Sequence, residues 1–214
     1  MLVRDIMTRP VVAIGPDEPI SDVIALMAQR RLRHFPVVDA GRLVGIVSDR
    51  DLRTVGADHP DARPGVVARD SVRALMSTPV WTASPLDPID EAAALLRRKA
   101  IGAMPVLDED ELVGIVTASD FLDALVAMTG VEAGTTRIEV ELPRDPAALA
   151  ALLSRVAEHG AEVASVLARR EDDAVRFVLR LATIDVRGIA SALDEAGFDV
   201  VWPPLVAPHR PEAS

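Results

Sequence analysis

Residues 43–52 read LVGIVSDRDL and residues 112–121 read LVGIVTASDF. Nearly the same ten residues are written twice, each with a hydroxyl three positions ahead of an aspartate. Sliding the chain on itself extends the match. Pro10 falls on Pro79, Pro36 on Pro105, Gly45 on Gly114 and Asp51 on Asp120, every pair 69 residues apart, with no gap from 3 to 53. Two units are too few for a solenoid, so the copies are expected to pack on each other as a pseudo-symmetric pair.

The hydrophobic period changes in the same order within each copy. Val11, Val12, Ala13 and Ile14, and Val80, Trp81 and Thr82, follow a proline and read as short strands. Ile20, Val23, Ile24 and Met27 fall at i, i+3, i+4 and i+7, as do Ile89, Ala92, Ala93 and Leu96, which predicts amphipathic helices. Pro19 and Pro88 stand where a first turn tolerates proline. FPVVD and MPVLD follow, then a turn, LVGIVS and LVGIVT, and a closing helix led by the aspartate. The unit is β-α-β-β-α, with helical lead-in turns at 3–7 and 72–76. The segment 56–70, rich in Pro, Asp and Ala, is the linker.

These motifs (MTRPVV and MSTPVW, HFPVVD and AMPVLD, GIVSDRD and GIVTASD) resemble a tandem cystathionine-β-synthase (CBS) pair over residues 1–128. The resemblance implies two clefts of the kind that hold AMP, ADP, ATP or S-adenosylmethionine. The residue chemistry is consistent with that role. Gly45 and Gly114 leave room for close backbone approach mid-strand. Ser48 and Thr117 can cap the next helix, whose free N–H groups favour an anion. Asp51 and Asp120, one turn in, can accept a ribose diol while the hydroxyl reaches a phosphate oxygen.

Cleft one is expected to use Thr8, Pro10, Val11, Val12, His34, Phe35, Pro36, Ser48, Arg50 and Asp51. Cleft two is expected to use Ser77, Pro79, Val80, Trp81, Met104, Pro105, Thr117 and Asp120. Arg50 offers a phosphate partner that copy two, with Ala118 and Ser119, lacks. Cleft one is therefore expected to tolerate phosphorylated adenosine better. The same Ser/Thr-x-x-Asp spacing is also close to an ordinary capping box, a purely structural device.

Beyond Met128 the pattern changes. Ile138, Val140 and Leu142 alternate with Arg137, Glu139 and Glu141, as in a half-buried antiparallel strand. Leu149, Leu152, Leu153 and Val156 mark a helix stopping at Gly160, and 163–169 and 175–181 read as strands. Val186, Ile189, Ala190 and Leu193 mark the last helix, and 199–202 the last strand. The order β-α-β-β-α-β predicts a ferredoxin-like sandwich, making the chain mixed α/β (α+β).

The stretch LPRDPAALAALLSRVAEHGAEVASV resembles an ACT domain over 135–202. That implies an effector loop at Arg144, Asp145, Ala147 and Leu149. ACT sensors usually carry glycine where Ala147 stands, and the departure favours a dimerising role over amino-acid binding. RNA-recognition domains share the element order but need exposed aromatics, which the strand AVRFVLRLA does not supply. The expected organisation is copy one at 1–55, linker 56–70, copy two at 71–128, linker 129–134, ACT-like domain 135–205 and a flexible tail 206–214.

Composition narrows the function. A net charge of −10 argues against a nucleic-acid binder. No run of about 18 apolar residues is present, so no membrane span is expected. The charged N-terminus MLVRDIMTRP is a poor secretory signal. There is no cysteine, and the four histidines (His34, His59, His159 and His209) lack metal-ligand spacing. No phosphate loop, nucleophile elbow or HExxH occurs. The reading is a cytoplasmic, homodimeric, non-enzymatic regulatory sensor similar to the acetoin-utilisation CBS–ACT proteins. It requires no cofactor and no metal, and binds an adenosine-type ligand, with a protein partner as a further expectation. The alternative is a ligand-free dimerisation or interaction scaffold.

Overall fold

Proline sets the start of each copy's first long helix. Pro19 and Pro88 hold extended backbone (φ −62 and −61) at the N-cap, one residue before the helix. In this computed structural model, which describes residues 1–55, 65–131 and 134–205, α1 spans Val3–Ile6, α2 Ile20–Arg30 and α4 Ile89–Lys99. α2 buries Ile20, Val23 and Met27; α4 buries Ala92 and Leu96. Each helix stops at a left-handed residue that is not glycine, Arg31 (φ 55) and Ala100 (φ 53). The next N–H turns back on the helix, Leu32 to Met27 O at 3.1 Å and Ile101 to Leu96 O at 3.2 Å.

An antiparallel hairpin follows in each copy: β1 (His34–Asp39) with β2 (Arg42–Ser48), and β3 (Ala103–Asp108) with β4 (Glu111–Thr117). Both carry a register shift at the same place, Val37/Val38 and Val106/Leu107. The closing helices are α3 (Asp49–Arg53) and α5 (Ala118–Thr129). The expected strands at 11–14 and 80–82 do not form. They reduce to single parallel bridges, Ile14 with Val37 and Ala83 with Val106. Pro10 and Pro79 have no N–H to donate, and the residues two positions before them are bonded elsewhere.

That elsewhere is the other copy. Thr8 exchanges backbone hydrogen bonds with Ile115 on β4, at 2.9 and 3.2 Å, and Ser77 exchanges them with Ile46 on β2, at 2.8 and 3.2 Å. The lead-in turns are likewise exchanged. Val3 N–H donates to Asp87 O and Val72 N–H to Glu18 O, both at 2.9 Å. Val3 is buried in the core of copy two with Met104, Val106 and Val116. Val72 and Leu75 are buried in the core of copy one with Ile20, Phe35 and Val47. Burying such a side chain contributes about 2 kcal/mol, so each copy is anchored by its partner's first turn. Part of the segment read as a linker (56–64) lies outside the described residues. The rest ties to α2, with Ser21 and Ile20 N–H donating to Ala68 and Asp70 carbonyls at 2.9 Å.

The chain divides into two units, Met1–Leu122 and Asp123–Ser214. In the second, β5 (Thr136–Pro143), α6 (Pro146–Glu158), β6 (Glu162–Arg170), β7 (Ala174–Ala182), α7 (Val186–Glu195) and β8 (Asp199–Trp202) form one four-stranded sheet with two helices. Its strand order is β6-β7-β5-β8, all antiparallel. Ile138, Val140, Leu142, Leu179 and Leu181 from the sheet pack with Leu152, Val156, Ile189 and Leu193 from the helices. This is the expected ferredoxin-like order.

Candidate functional site

The repeated Ser/Thr-x-x-Asp motif closes on itself in both copies. Ser48 ends β2 in extended conformation and caps α3. Its N–H and its Oγ–H both donate to Asp51 Oδ2, at 2.8 and 2.7 Å, and the Asp51 N–H reaches back to Ser48 Oγ at 3.4 Å. In copy two the Thr117 N–H and Oγ1–H donate to Asp120 Oδ2, each at 2.7 Å. The capping box is therefore real. It uses one oxygen of each carboxylate; the Oδ1 atoms of Asp51 and Asp120 have no hydrogen-bond partner among the described residues. Both acids are half-buried at the strand-to-helix turn.

This geometry changes the expected division of labour. The hydroxyl gives its proton to the acid, so in this arrangement it can accept a hydrogen bond but not donate one to a phosphate. The N–H of each helix's first residue is also used, with Asp49 N–H on Arg33 O at 2.9 Å and Ala118 N–H on Gly102 O at 3.1 Å, which leaves the turn fewer donors for an anion. What it offers a ligand is an acceptor, the free carboxylate oxygen. Arg50 is exposed and has no ion pair among the described residues, whereas Asp49 is paired with Arg53.

Several expected lining residues are placed differently. Phe35 and Met104 are fully buried in the two cores, so neither presents a face to a purine. Pro36 and Pro105 are buried within β1 and β3. Thr8, expected in cleft one, is bonded to the strand that ends in Thr117. Ser77, expected in cleft two, is bonded to β2 two residues before Ser48. These two residues thus exchange sides, because the lead-in segments are swapped. Pro10 and Pro79 are exposed, and Val11, Val12 and Val80 are half-buried. Trp81 is 45% exposed, with the Lys99 ammonium 3.9 Å from its ring centroid.

The two glycines in the motif have a structural reason that the spacing alone did not show. A Cβ on Gly45 would lie 2.6 Å from Met76 Sδ, and one on Gly114 would overlap Met7 Sδ. They admit a methionine of the other copy rather than a ligand. His34 pairs in register with Ser48, where copy two has Ala103 opposite Thr117. Its imidazole fills the space where a Gly102 side chain would be, Nε2 lying 2.7 Å from that Cβ position. Burial lowers its pKa below the ordinary 6.5, opposed by Asp49 and Asp51 and aided by Arg33 and Arg50. Gly102 escaped the sequence reading because its repeat equivalent is Arg33, so the periodicity gives it no mark.

In the second unit, Asp145 caps α6 by accepting the Ala147 N–H at 2.9 Å. Arg144 donates to the Glu171 and Asp172 carbonyls at 2.6 and 2.7 Å. Arg144, Asp145 and Leu149 border a cavity of about 400 Å³ with Arg170 and Phe177; Ala147 does not. Among the described residues no cluster of acids and histidines could hold a metal ion; His59 and His209 lie outside them. No helix of the described residues is long and apolar enough to cross a membrane.

The comparisons agree with the repeat. The CBS-domain family matches residues 3–58 and 72–127, just over half of the chain. CBS domain-containing protein YhcV of Bacillus subtilis (strain 168) is 32% identical over 135 residues, which is 62% of this chain and 90% of that protein. A Vibrio cholerae protein crystallised as a candidate acetoin utilization protein (AcuB) is 31% identical with a TM-score of 0.53, covering 64% of this chain and 98% of that one. The CBS domain pair of protein MJ0100, crystallised with 5′-methylthioadenosine and S-adenosyl-L-methionine, is 26% identical with a TM-score of 0.53, over 59% of this chain and 97% of that one. The family match ends at residue 127, ahead of the βαββαβ unit. With the exchanged lead-ins and the paired motifs, this places the chain in the CBS-domain family, as a tandem CBS pair followed by a ferredoxin-like unit.

Proposed function

We propose that the chain is a non-catalytic sensor in which each strand-to-helix turn of the CBS pair holds the sugar of an adenosine-type ligand. The observation carrying this is the twinned free oxygen: Asp51 and Asp120 each spend Oδ2 on their own turn and keep Oδ1 for a ribose hydroxyl. The ligands bound by the MJ0100 pair, 5′-methylthioadenosine and S-adenosyl-L-methionine, are adenosine derivatives without a phosphate, which suits turns whose first helical N–H is already used. Site one comprises Asp51, Ser48, Ser77 and His34, with Val11 and Val12 as apolar neighbours. Its free Arg50 favours a charged nucleotide such as AMP, ADP or ATP. Site two comprises Asp120, Thr117 and Thr8, with Val80 and Trp81, and favours an uncharged one.

The βαββαβ unit acts as an ACT-type domain that joins two copies in the cytoplasm and passes the ligand state to a partner. That relay needs the ligand to bind one arrangement of the molecule more tightly than another.

A scaffold without a ligand is the second reading. The closed capping boxes and the burial of Phe35 and Met104 favour it. Thermal shift with AMP, ADP, ATP, S-adenosylmethionine and 5′-methylthioadenosine separates the two. A ligand present at 100 times its Kd adds about 2.7 kcal/mol of stability. A clear rise in Tm with at least one of the five supports the sensor; five flat profiles leave the scaffold.

A further inference from the structure

Trp81 is the one exposed aromatic side chain of the CBS pair among the described residues; Phe35 is buried and Phe121 half-buried. Its indole is a broad apolar surface left in water, and it is not left bare. The chain has a single lysine, Lys99, and the ammonium of that lysine stands 3.9 Å from the Trp81 ring centroid. Lys99 is exposed and makes no salt bridge among the described residues, so the ring is the partner that orders its charge. Copy one has no such pair. Sixty-nine positions earlier stand Val12 and Arg30, a cation with no aromatic face to hold it.

Both partners are tied to the elements that carry the Thr117–Asp120 turn. Lys99 is the last residue of α4, and Ala100 turns the chain left-handed behind it. Gly102, three residues on, gives its carbonyl to the Ala118 N–H at 3.1 Å, and Ala103 pairs in register with Thr117. Trp81 comes to the same strand from the other direction, since the Ala83 N–H donates to Pro105 O on β3 at 3.0 Å. An ammonium and a flat base cannot occupy one π-face together. Stacking of a base on an aromatic ring is worth more than a cation–π contact at an exposed site. A purine therefore displaces the ammonium and binds with the remainder of its affinity.

We infer that the face of Trp81 covered by Lys99 is the face on which a purine stacks, so that Lys99 is a specificity-determining residue of site two. It closes the site to ligands that bring no stacking base, and an adenosine-type ligand enters by displacing it. The inference rests on the proposed ligand site at Asp120. The test is titration of 5′-methylthioadenosine into the full chain carrying Trp202→Phe, which leaves Trp81 as the emitting tryptophan, followed by fluorescence and by calorimetry. Three forms are compared: Lys99 intact, Lys99→Ala, whose side chain cannot reach the ring, and Lys99→Arg, which keeps a cation for it. Trp81 emission should change on saturation in all three. The alanine form should bind about two- to fivefold more tightly, the fold-change equivalent of an exposed cation–π contact, and the arginine form should not. Equal or weaker binding by Lys99→Ala would overturn the inference while leaving the site standing, as would binding that leaves Trp81 emission unchanged. Neither heat nor an emission change in any form would overturn the Asp120 site and the inference with it.

Discussion

Replacing Gly45 by alanine puts a methyl group where the structure has Met76 of the other copy. The new Cβ would lie 2.6 Å from Sδ, 2.9 Å from Cγ and 3.1 Å from Cβ of that methionine. The sulfur can swing aside, but Met76 Cβ cannot. Its backbone is pinned by the Met76 N–H on Val72 O at 2.9 Å and the Ser77 N–H on Ile46 O at 2.8 Å. Overpacking of this sort costs about 1–3 kcal/mol, offset by about 0.5–1 kcal/mol for removing a strand glycine. A net loss of about 1–2 kcal/mol is expected.

Met76→Ala, at a half-buried site, should cost about 1–2 kcal/mol, below the range for fully buried methionine. The double variant should be more stable than the sum of the two, by about 1 kcal/mol or more, because the methyl group introduced at position 45 then occupies the vacated space. Neighbouring residues couple on this scale, and independent ones add within about 0.5 kcal/mol. The chain has two tryptophans, one in each unit, so a Trp202→Phe background leaves Trp81 to report urea unfolding of the CBS pair alone. The cycle at Gly114 and Met7 should give the same result. Additive losses, or a neutral Gly45→Ala, would refute the exchanged packing of the two copies.

Three further outcomes follow from the same geometry. Burial holds the His34 pKa below the ordinary 6.5. The unfolded chain therefore binds the extra proton, and stability that is full above 6.5 is lost as the pH falls through the lowered value. His34→Gln should flatten the fall in Tm as the pH drops below 6.5, and an unchanged slope would contradict this. Arg31→Gly and Ala100→Gly should each raise stability by about 0.5–1 kcal/mol in urea titrations, since a left-handed L-residue costs about 1–2 kcal/mol and glycine returns part of that in entropy; a loss at either position would contradict the helix-end geometry. Lys99→Met removes a cation from the face of Trp81 and should change the emission of Trp81 while costing no more than about 1 kcal/mol. Identical spectra would place the ammonium elsewhere.

The repeat was legible because two copies of one unit must satisfy the same physics at the same spacing. The helices were legible from their stripes, and the βαββαβ unit from clean alternation at Ile138, Val140 and Leu142. The exchange of lead-ins was not. Val3 to Met7 and Val72 to Met76 carry the same apolar pattern, so packing on either copy buries equivalent groups and periodicity cannot choose between them. That ambiguity misplaced Thr8 and Ser77 and hid the reason for Gly45 and Gly114. The runs after Pro10 and Pro79 have the composition of strands, yet their pairing was decided by which copy Thr8 and Ser77 had already joined. At Ser48–Asp51 the sequence held both readings, cap and ligand group, and the structure assigns one carboxylate oxygen to the cap and leaves the other free.

Calorimetric titration of 5′-methylthioadenosine into wild type, Asp51→Asn and Asp120→Asn tests the central claim most directly. Asparagine keeps an oxygen for the Ser48 or Thr117 donors but turns the free acceptor into an N–H donor, so the cap survives while the sugar contact is lost. The account expects each variant to lose at least tenfold in affinity at its own site, with little change in Tm. Full-affinity binding in both variants, or no binding to wild type at all, would contradict it.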